Sequence, residues 1–194
     1  MDRLMIWRGL DDWRAEATHV RIEDDRLTAT GTQLGRSPEP YRLDYSLRTG
    51  PGFVTETLEL SVLRGGGLKR LRLARRPDGS WTADDRPLPE VAGGMDCDLA
   101  NSPLTNTMPV LREGLLAAGA APGDFVMAWV AVPDLTVHRS DQRYEPIDER
   151  HVRYVSQGRE FVAELEYDDD GLVLNYPDMA ERVNPQPTLK GSDP

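Results

Sequence analysis

Tyr41-Arg42-Leu43-Asp44-Tyr45-Ser46-Leu47 decides the fold class. Tyr41, Leu43, Tyr45 and Leu47 hold alternate positions, with Arg42, Asp44 and Ser46 between them. Successive side chains of a strand point to opposite faces, so this order makes one apolar face and one wet face. A helix would spread the same four residues around its circumference. The neighbouring segments repeat the pattern. Phe53-Val54-Thr55-Glu56-Thr57-Leu58-Glu59-Leu60 is rich in β-formers. In 68–76, Leu71 and Leu73 oppose Arg70 and Arg72. From Ala15 to Glu23, Ala15, Ala17 and His19 interleave with Glu16, Thr18 and Val20, which reads as one small or apolar face and one polar face. Asp24-Asp25, Gly50-Pro51-Gly52, Gly65-Gly66-Gly67, Asp78-Gly79 and Asp170-Gly171 supply turns. The predicted architecture is all-β: an antiparallel sheet, closed or rolled.

One segment reads as a helix. Leu111, Leu115 and Ala118 recur at helical spacing, Gly119 and Pro122 supply a stop, and Gly114 weakens the pattern. The apolar run Phe125–Val132 fits a strand covered on both faces. Phe53-Val54-Thr55-Glu56-Thr57-Leu58 echoes Phe161-Val162-Ala163-Glu164-Leu165. Tandem β-halves over 1–83 and 91–182 and chance similarity between amphipathic strands both account for this echo. We expect one β domain over 1–182 and a frayed tail over 183–194, which has no apolar face.

Composition narrows the function classes. The chain has 194 residues, 39% of them apolar, with a mean hydropathy of -0.53. A net charge of -10 argues against nucleic acid and against an anionic membrane surface as partners. One cysteine excludes an intrachain disulfide and any Cys-rich zinc site. No apolar run approaches the roughly 18 residues of a membrane span. Met1–Arg8 has no apolar stretch of the signal-peptide kind, so the expected location is cytoplasmic.

Familiar catalytic patterns are missing. There is no Gly-x-Ser-x-Gly, His-Glu-x-x-His, phosphate-binding loop or dinucleotide glycine pattern, and no cofactor or metal is expected. His19, His138 and His151 lie far apart in sequence. Asp96 and Asp98, and separately Glu166, Asp168 and Asp170, suggest calcium loops. Ala100 and Asn101 spoil the first, and Pro177 the second. Cys97 sits between two carboxylates that oppose a thiolate, so a buried core role fits it better than a nucleophile. The basic run 69–76 admits two readings, an anion-holding face or an edge strand guarded by cations.

The segment 95–112 stands apart: Met-Asp-Cys-Asp-Leu-Ala-Asn-Ser-Pro-Leu-Thr-Asn-Thr-Met-Pro-Val-Leu-Arg. If 96–98 is extended, the Asp96 and Asp98 carboxylates share a face. With Asn106 and Arg112 they make a set suited to a polyol, whose hydroxyls need planar groups offering paired donors and acceptors. The same residues equally allow Asp96 or Asp98 to pair with Arg112 and Asn106 to satisfy loose backbone groups.

Asp96-Cys97-Asp98-Leu99, with Ser102–Pro109 and Arg112 after it, resembles the hallmark of the glycolipid-binding family, formerly a domain of unknown function. Ala128-Trp129-Val130, Val132–Leu135 and Gln142-Arg143-Tyr144 resemble its second block. Phe161–Leu165 with 170–177 resembles its last, and Trp7, Glu16 and Tyr41 fit more loosely. The resemblance implies a long antiparallel sheet rolled into an incomplete barrel, similar in shape to lipoprotein-localisation carriers, and a lipid or glycolipid ligand.

Three functions follow as expectations. The first is a binding protein that holds an acyl-type ligand in a concave β-roll, with Asp96, Asp98, Asn106 and Arg112 at the rim and Trp129, Gln142 and Tyr144 as further ligand contacts. Ten buried methylenes would contribute roughly 8 kcal/mol before ordering costs. The second is a hydrolase using Asp96 and Asp98 as an acid/base pair. The third is an assembly module that associates with further copies through unpaired sheet edges.

Overall fold

The computed structural model describes residues 1–158 and 161–183. The alternation of Tyr41–Leu47 holds: Tyr41, Leu43, Tyr45 and Leu47 are all buried, and Arg42, Ser46 and Arg48 are exposed. Among the described residues, fifteen strands form one continuous sheet. The first run comprises β1 (Asp2–Gly9), β2 (Arg14–Glu23), β3 (Arg26–Gly35), β4 (Tyr41–Thr49), β5 (Thr55–Arg64), β6 (Gly67–Arg75), β7 (Trp81–Ala83) and β8 (Arg86–Pro87). The second comprises β9 (Asp96–Leu99), β10 (Gly123–Val130), β11 (Val137–Pro146), β12 (His151–Ser156), β13 (Phe161–Tyr167), β14 (Val173–Tyr176) and β15 (Ala180–Arg182). In each run sequential strands are neighbours, antiparallel everywhere except at β9 and β10. The runs join where β1 pairs with β15, Trp7 opposite Arg182 and Gly9 opposite Ala180.

The sheet rolls without closing. Its β9 end comes back against the start of β5, where Thr55 N–H donates to the Met95 carbonyl (2.9 Å) and Cys97 N–H to Thr55 Oγ1 (3.0 Å). No strand ladder joins the two. The remaining edge, β8, holds two residues, one of them Pro87, which has no N–H to offer.

One pairing departs from the antiparallel expectation. β9 runs parallel to β10, Asp96 opposite Met127 and Asp98 opposite Trp129. A parallel pair needs a crossover, and the connection from Leu99 to Gly123 supplies one. It contains a 3-10 turn (Pro103–Asn106) and α1 (Thr107–Glu113). The helix therefore starts earlier and stops sooner than its Leu111-Leu115-Ala118 spacing suggested. Gly114 ends it: with φ at +60° it takes the left-handed conformation that only a residue without Cβ adopts freely, and its N–H caps the Leu111 and Val110 carbonyls.

A second departure concerns β2. Its inner face carries Glu16, Thr18 and Val20, while Ala17 and His19 face solvent. The strand forms over the expected residues, but its faces are the reverse of what the alanines imply.

The roll is largely filled by its own chain. Leu43, Leu47, Leu58, Leu60, Leu73 and Trp81 of the first run pack on Leu99, Leu104 and Met108. Val110 and Leu115 pack on Phe125, Met127, Tyr144, Tyr154, Leu165 and Tyr167 of the second. Cys97 is fully buried, and burial pushes its thiol up to about 12, as befits a core residue. Asp168 organises a hairpin tip: its Oδ1 accepts the N–H groups of Asp170 and Leu172, and its Oδ2 meets Arg182 (2.7 Å). In the basic run, Arg72 faces Glu59 and Arg75 donates to the Gly94 carbonyl. Val183 N–H donates to the Ile6 carbonyl (2.7 Å), so the first tail residue is held. The rest of the expected tail, 184–194, lies outside the described residues. Among the described residues, no helix is long and apolar enough to cross a membrane.

Candidate functional site

The extended segment at β9 does place the Asp96 and Asp98 carboxylates on one face, but they do different things. Asp96 is 1% exposed, and both its oxygens accept from Arg112, Oδ1 from Nη1 and Oδ2 from Nη2, each at 2.7 Å. Burial raises the Asp96 carboxyl above its ordinary value, against the pull of the guanidinium that meets it through two charge-assisted hydrogen bonds. Arg112 also lies over the Phe125 ring and bonds Glu113. Burial disfavours the Arg112 charge, but its carboxylate partners outweigh burial and raise its pKa. Asp96 and Arg112 thus clamp α1 onto β9 and are not rim residues, and an Asp96/Asp98 acid/base pair does not form.

Asp98 has a different setting. Its Oδ1 accepts from Thr105 Oγ1 (2.9 Å) and its Oδ2 from Gln142 Nε2 (2.7 Å). Gln142 is buried, and its Oε1 faces the Tyr144 hydroxyl (3.2 Å). That hydroxyl also reaches Asn106 Oδ1 (2.9 Å), and Asn106 Nδ2 turns to the Pro103 carbonyl. Burial pushes the Tyr144 hydroxyl well above its usual range, so it remains a donor. Thr105, Asp98, Gln142, Tyr144 and Asn106 therefore form one connected polar string. Nearly every buried polar group in it has a partner, which fixes its geometry.

The string backs onto a cleft of about 390 Å³. Asp98, Asn106 and Trp129 line it. Gln142 and Tyr144 stand behind and hold the first two, while Asp96 and Arg112 lie elsewhere. Trp129 is half-buried here, not plain core. Tyr154, Phe161 and Tyr176 also line the cleft, as one cluster with ring centroids about 6 Å apart. Ser102 and Ser156 add hydroxyls. Exposed Asp11 and Asp178 mark the mouth. There the 10–14 loop is tied to the 176–180 turn by Leu10 N–H (3.0 Å) and Arg14 Nη2 (3.1 Å), both donating to the Met179 carbonyl. The volume lies in the range of small-molecule sites and suits a single ring-sized group with its nearest atoms. Two broader surface depressions, around Pro146–His151 and around Arg48 and Arg72, open widely to solvent and lack such an aromatic lining.

A buried cluster from the first run holds the Ala100-Asn101-Ser102 lining. Glu16 is 3% exposed and accepts from the Tyr45 hydroxyl (2.6 Å), Ser102 Oγ (2.8 Å), Thr18 Oγ1 (3.1 Å) and Gln33 Nε2 (3.3 Å). Gln33 Nε2 also donates to the Ala100 carbonyl (3.4 Å). Sequence reading missed this role for Glu16, because a glutamate between alanines reads as solvent-facing. It also missed Tyr154 and Tyr176 as lining, although both sit on strand positions with the alternating pattern.

Burial raises the Glu16 carboxyl above its ordinary value of 4.5, against the pull of its hydrogen-bond donors. The folded state then binds a proton that the unfolded state releases. The contribution is full below pH 4.5 and is lost as pH rises through the folded value. Comparing unfolding free energies of wild type and Glu16→Gln across pH cancels the other groups. We expect the wild type to lose ground steadily to the variant above pH 4.5, and a flat difference would refute the assignment.

Comparison with known proteins agrees with the fold. The chain is 30% identical to a DUF1089 family protein from Pseudomonas aeruginosa of known crystal structure, with a TM-score of 0.75 over 91% of this chain and 95% of that one. A search of curated proteins finds no match. The family model described as "Putative glycolipid-binding" matches residues 4–182, and the chain belongs to that family.

Proposed function

We propose that the protein binds an amphiphile by its sugar-bearing head group, seated in the cleft between Trp129 and the Tyr154–Phe161–Tyr176 cluster. The observation that carries this reading is the lining itself: aromatic faces on one part of the surface, and Asp98, Asn106, Ser102 and Ser156 on another. Aromatic rings take the apolar face of a sugar, and carboxylates, amides and hydroxyls take its edge. The family description supports a binding role of the same kind. Because the interior is filled, the acyl portion of the ligand leaves through the mouth near Asp11 and Asp178 instead of lying in a trough. Asp98 and Asn106 act as acceptors already oriented by Thr105, Gln142 and Tyr144, so little ordering cost remains at binding.

The test is a calorimetric titration with a short-chain alkyl glucoside kept below its micelle concentration, with the free sugar and the free alcohol as controls. Trp129→Ala should weaken binding about tenfold or more, the equivalent of ~1.4 kcal/mol, with the melting temperature close to wild type. No saturable binding of any glycoside, or binding that Trp129→Ala leaves intact, overturns the reading.

A further inference from the structure

Six of the eleven large apolar side chains exposed among the described residues gather at one end of the roll. Antiparallel order brings the connections after β1, β3, β5, β10, β12 and β14 to that end. Leu10 and Trp13 stand in the first of these connections, 44% and 59% exposed. Leu63 and Leu68 pair just before the β5–β6 turn. Phe161 and Val162 open β13. The hairpin connections at the other end, 24–25, 50–54, 76–80, 147–150 and 168–172, hold a single such residue, Ile147. Apolar side chains scattered over a surface need no explanation, but a set gathered at one end marks a contact.

That end is where the cleft opens. Asp11, between Leu10 and Trp13 in the chain, lines the mouth, and Phe161 lines the cleft itself. A sugar head seated in the cleft sends its alkyl chain out among these side chains. The charges there are paired. Asp12 meets Arg36 (2.7 Å), Asp11 meets Arg14, and Arg64 meets both Glu39 (3.2 Å) and Asp134 (2.8 Å). Little of the chain's net charge of -10 is left at this end. An indole, apolar in body with one polar N–H, suits the boundary between hydrocarbon and water. We infer that this end of the roll docks on a neutral, zwitterionic lipid surface, with Leu10 and Trp13 entering the head-group layer. The ligand then passes between surface and cleft without its alkyl chain crossing water. The inference rests on the cleft as the seat of an amphiphile's head, because that seat fixes where the chain leaves.

Flotation of the full chain with phosphatidylcholine vesicles that carry a small share of a long-chain alkyl glucoside tests it. Wild type should float with the vesicles. Leu10→Ser combined with Trp13→Ser should lower the partitioning about tenfold or more, through the apolar area no longer buried in the lipid. The same variant should keep the wild-type melting temperature and the wild-type calorimetric affinity for the short-chain glucoside. Leu4→Ser is the control. Leu4 is 67% exposed but lies on β1 away from the mouth, so its loss should leave the partitioning unchanged. Wild type that stays off the vesicles, or a double variant that floats as well as wild type, overturns the docking, and the cleft reading survives if the soluble glucoside still binds. Vesicles held through Leu10 and Trp13 by a protein that binds no glycoside overturn the cleft reading instead. A dimer that forms as wild type is concentrated and that the double variant fails to form makes a second copy the occupant, and overturns the proposal.

Discussion

Asp96→Ala should lower the unfolding free energy by about 3–5 kcal/mol. The substitution strands Arg112, whose side chain is 10% exposed, without its bidentate partner. A buried guanidinium left alone loses its Coulomb partner and two charge-assisted hydrogen bonds, and water reaches it poorly. The Phe125 face and Glu113 are the groups left to it. Because the pair fastens α1 to β9, the loss should spread to the 3-10 turn that carries Thr105 and Asn106. Urea denaturation measures the effect. Asp96→Leu combined with Arg112→Met should recover most of the loss, since replacing both charges by apolar groups removes the desolvation cost along with the attraction. An Asp96→Ala protein of wild-type stability that had lost ligand binding would make Asp96 a functional residue after all, and the clamp assignment would fall.

Gly31→Ala should cost about 2 kcal/mol or more, although a single methyl is added to a strand. Gly31 lies in one row with Thr18 on β2 and Tyr45 on β4. A Cβ there would come within 2.5 Å of both Thr18 Oγ1 and Tyr45 Cζ. The ring lies across the glycine, and this lets the Tyr45 hydroxyl reach Glu16 and Thr18. A methyl would lift the ring and disturb the cluster that holds Ser102. The expectation is therefore a fall in stability accompanied by weaker binding in the cleft. Gly66→Ala is the control: it has nothing within 4 Å of the added carbon, and its cost should stay within ±0.5 kcal/mol. If the two variants melt together, the packing described for Tyr45 is wrong.

These two cases differ in how far the sequence revealed them. The Asp96–Arg112 pair was one of two readings open for the segment 95–112, because both a polyol site and an internal clamp need charged groups close together. Burial decided between them, and burial depends on α1 crossing over β9. The Gly31–Tyr45 contact could not be read at all. A glycine inside a strand signals a close approach without saying by what, and the partner ring comes from the next strand in a register that only the folded sheet sets. The same holds for Glu16. Hydropathy sees a charged residue between alanines, whereas the sheet places it inward because Val20 on its own face must be buried.

The sequence by itself determined that this chain is a sheet: alternation in Tyr41–Leu47 and its neighbours, punctuated by turns, leaves strands one face to bury. It also determined that 95–112 is chemically unlike the rest. Only the tertiary structure decided which of those polar groups face a cavity. Asp98 and Asn106 do, and Asp96 and Arg112 do not. Local pattern records which side of a strand is wet or dry, but a site is made by side chains far apart in sequence. Tyr154 and Tyr176 share a cleft with Trp129 only because the second run rolls, and Asp11 joins them only after β1 has paired with β15.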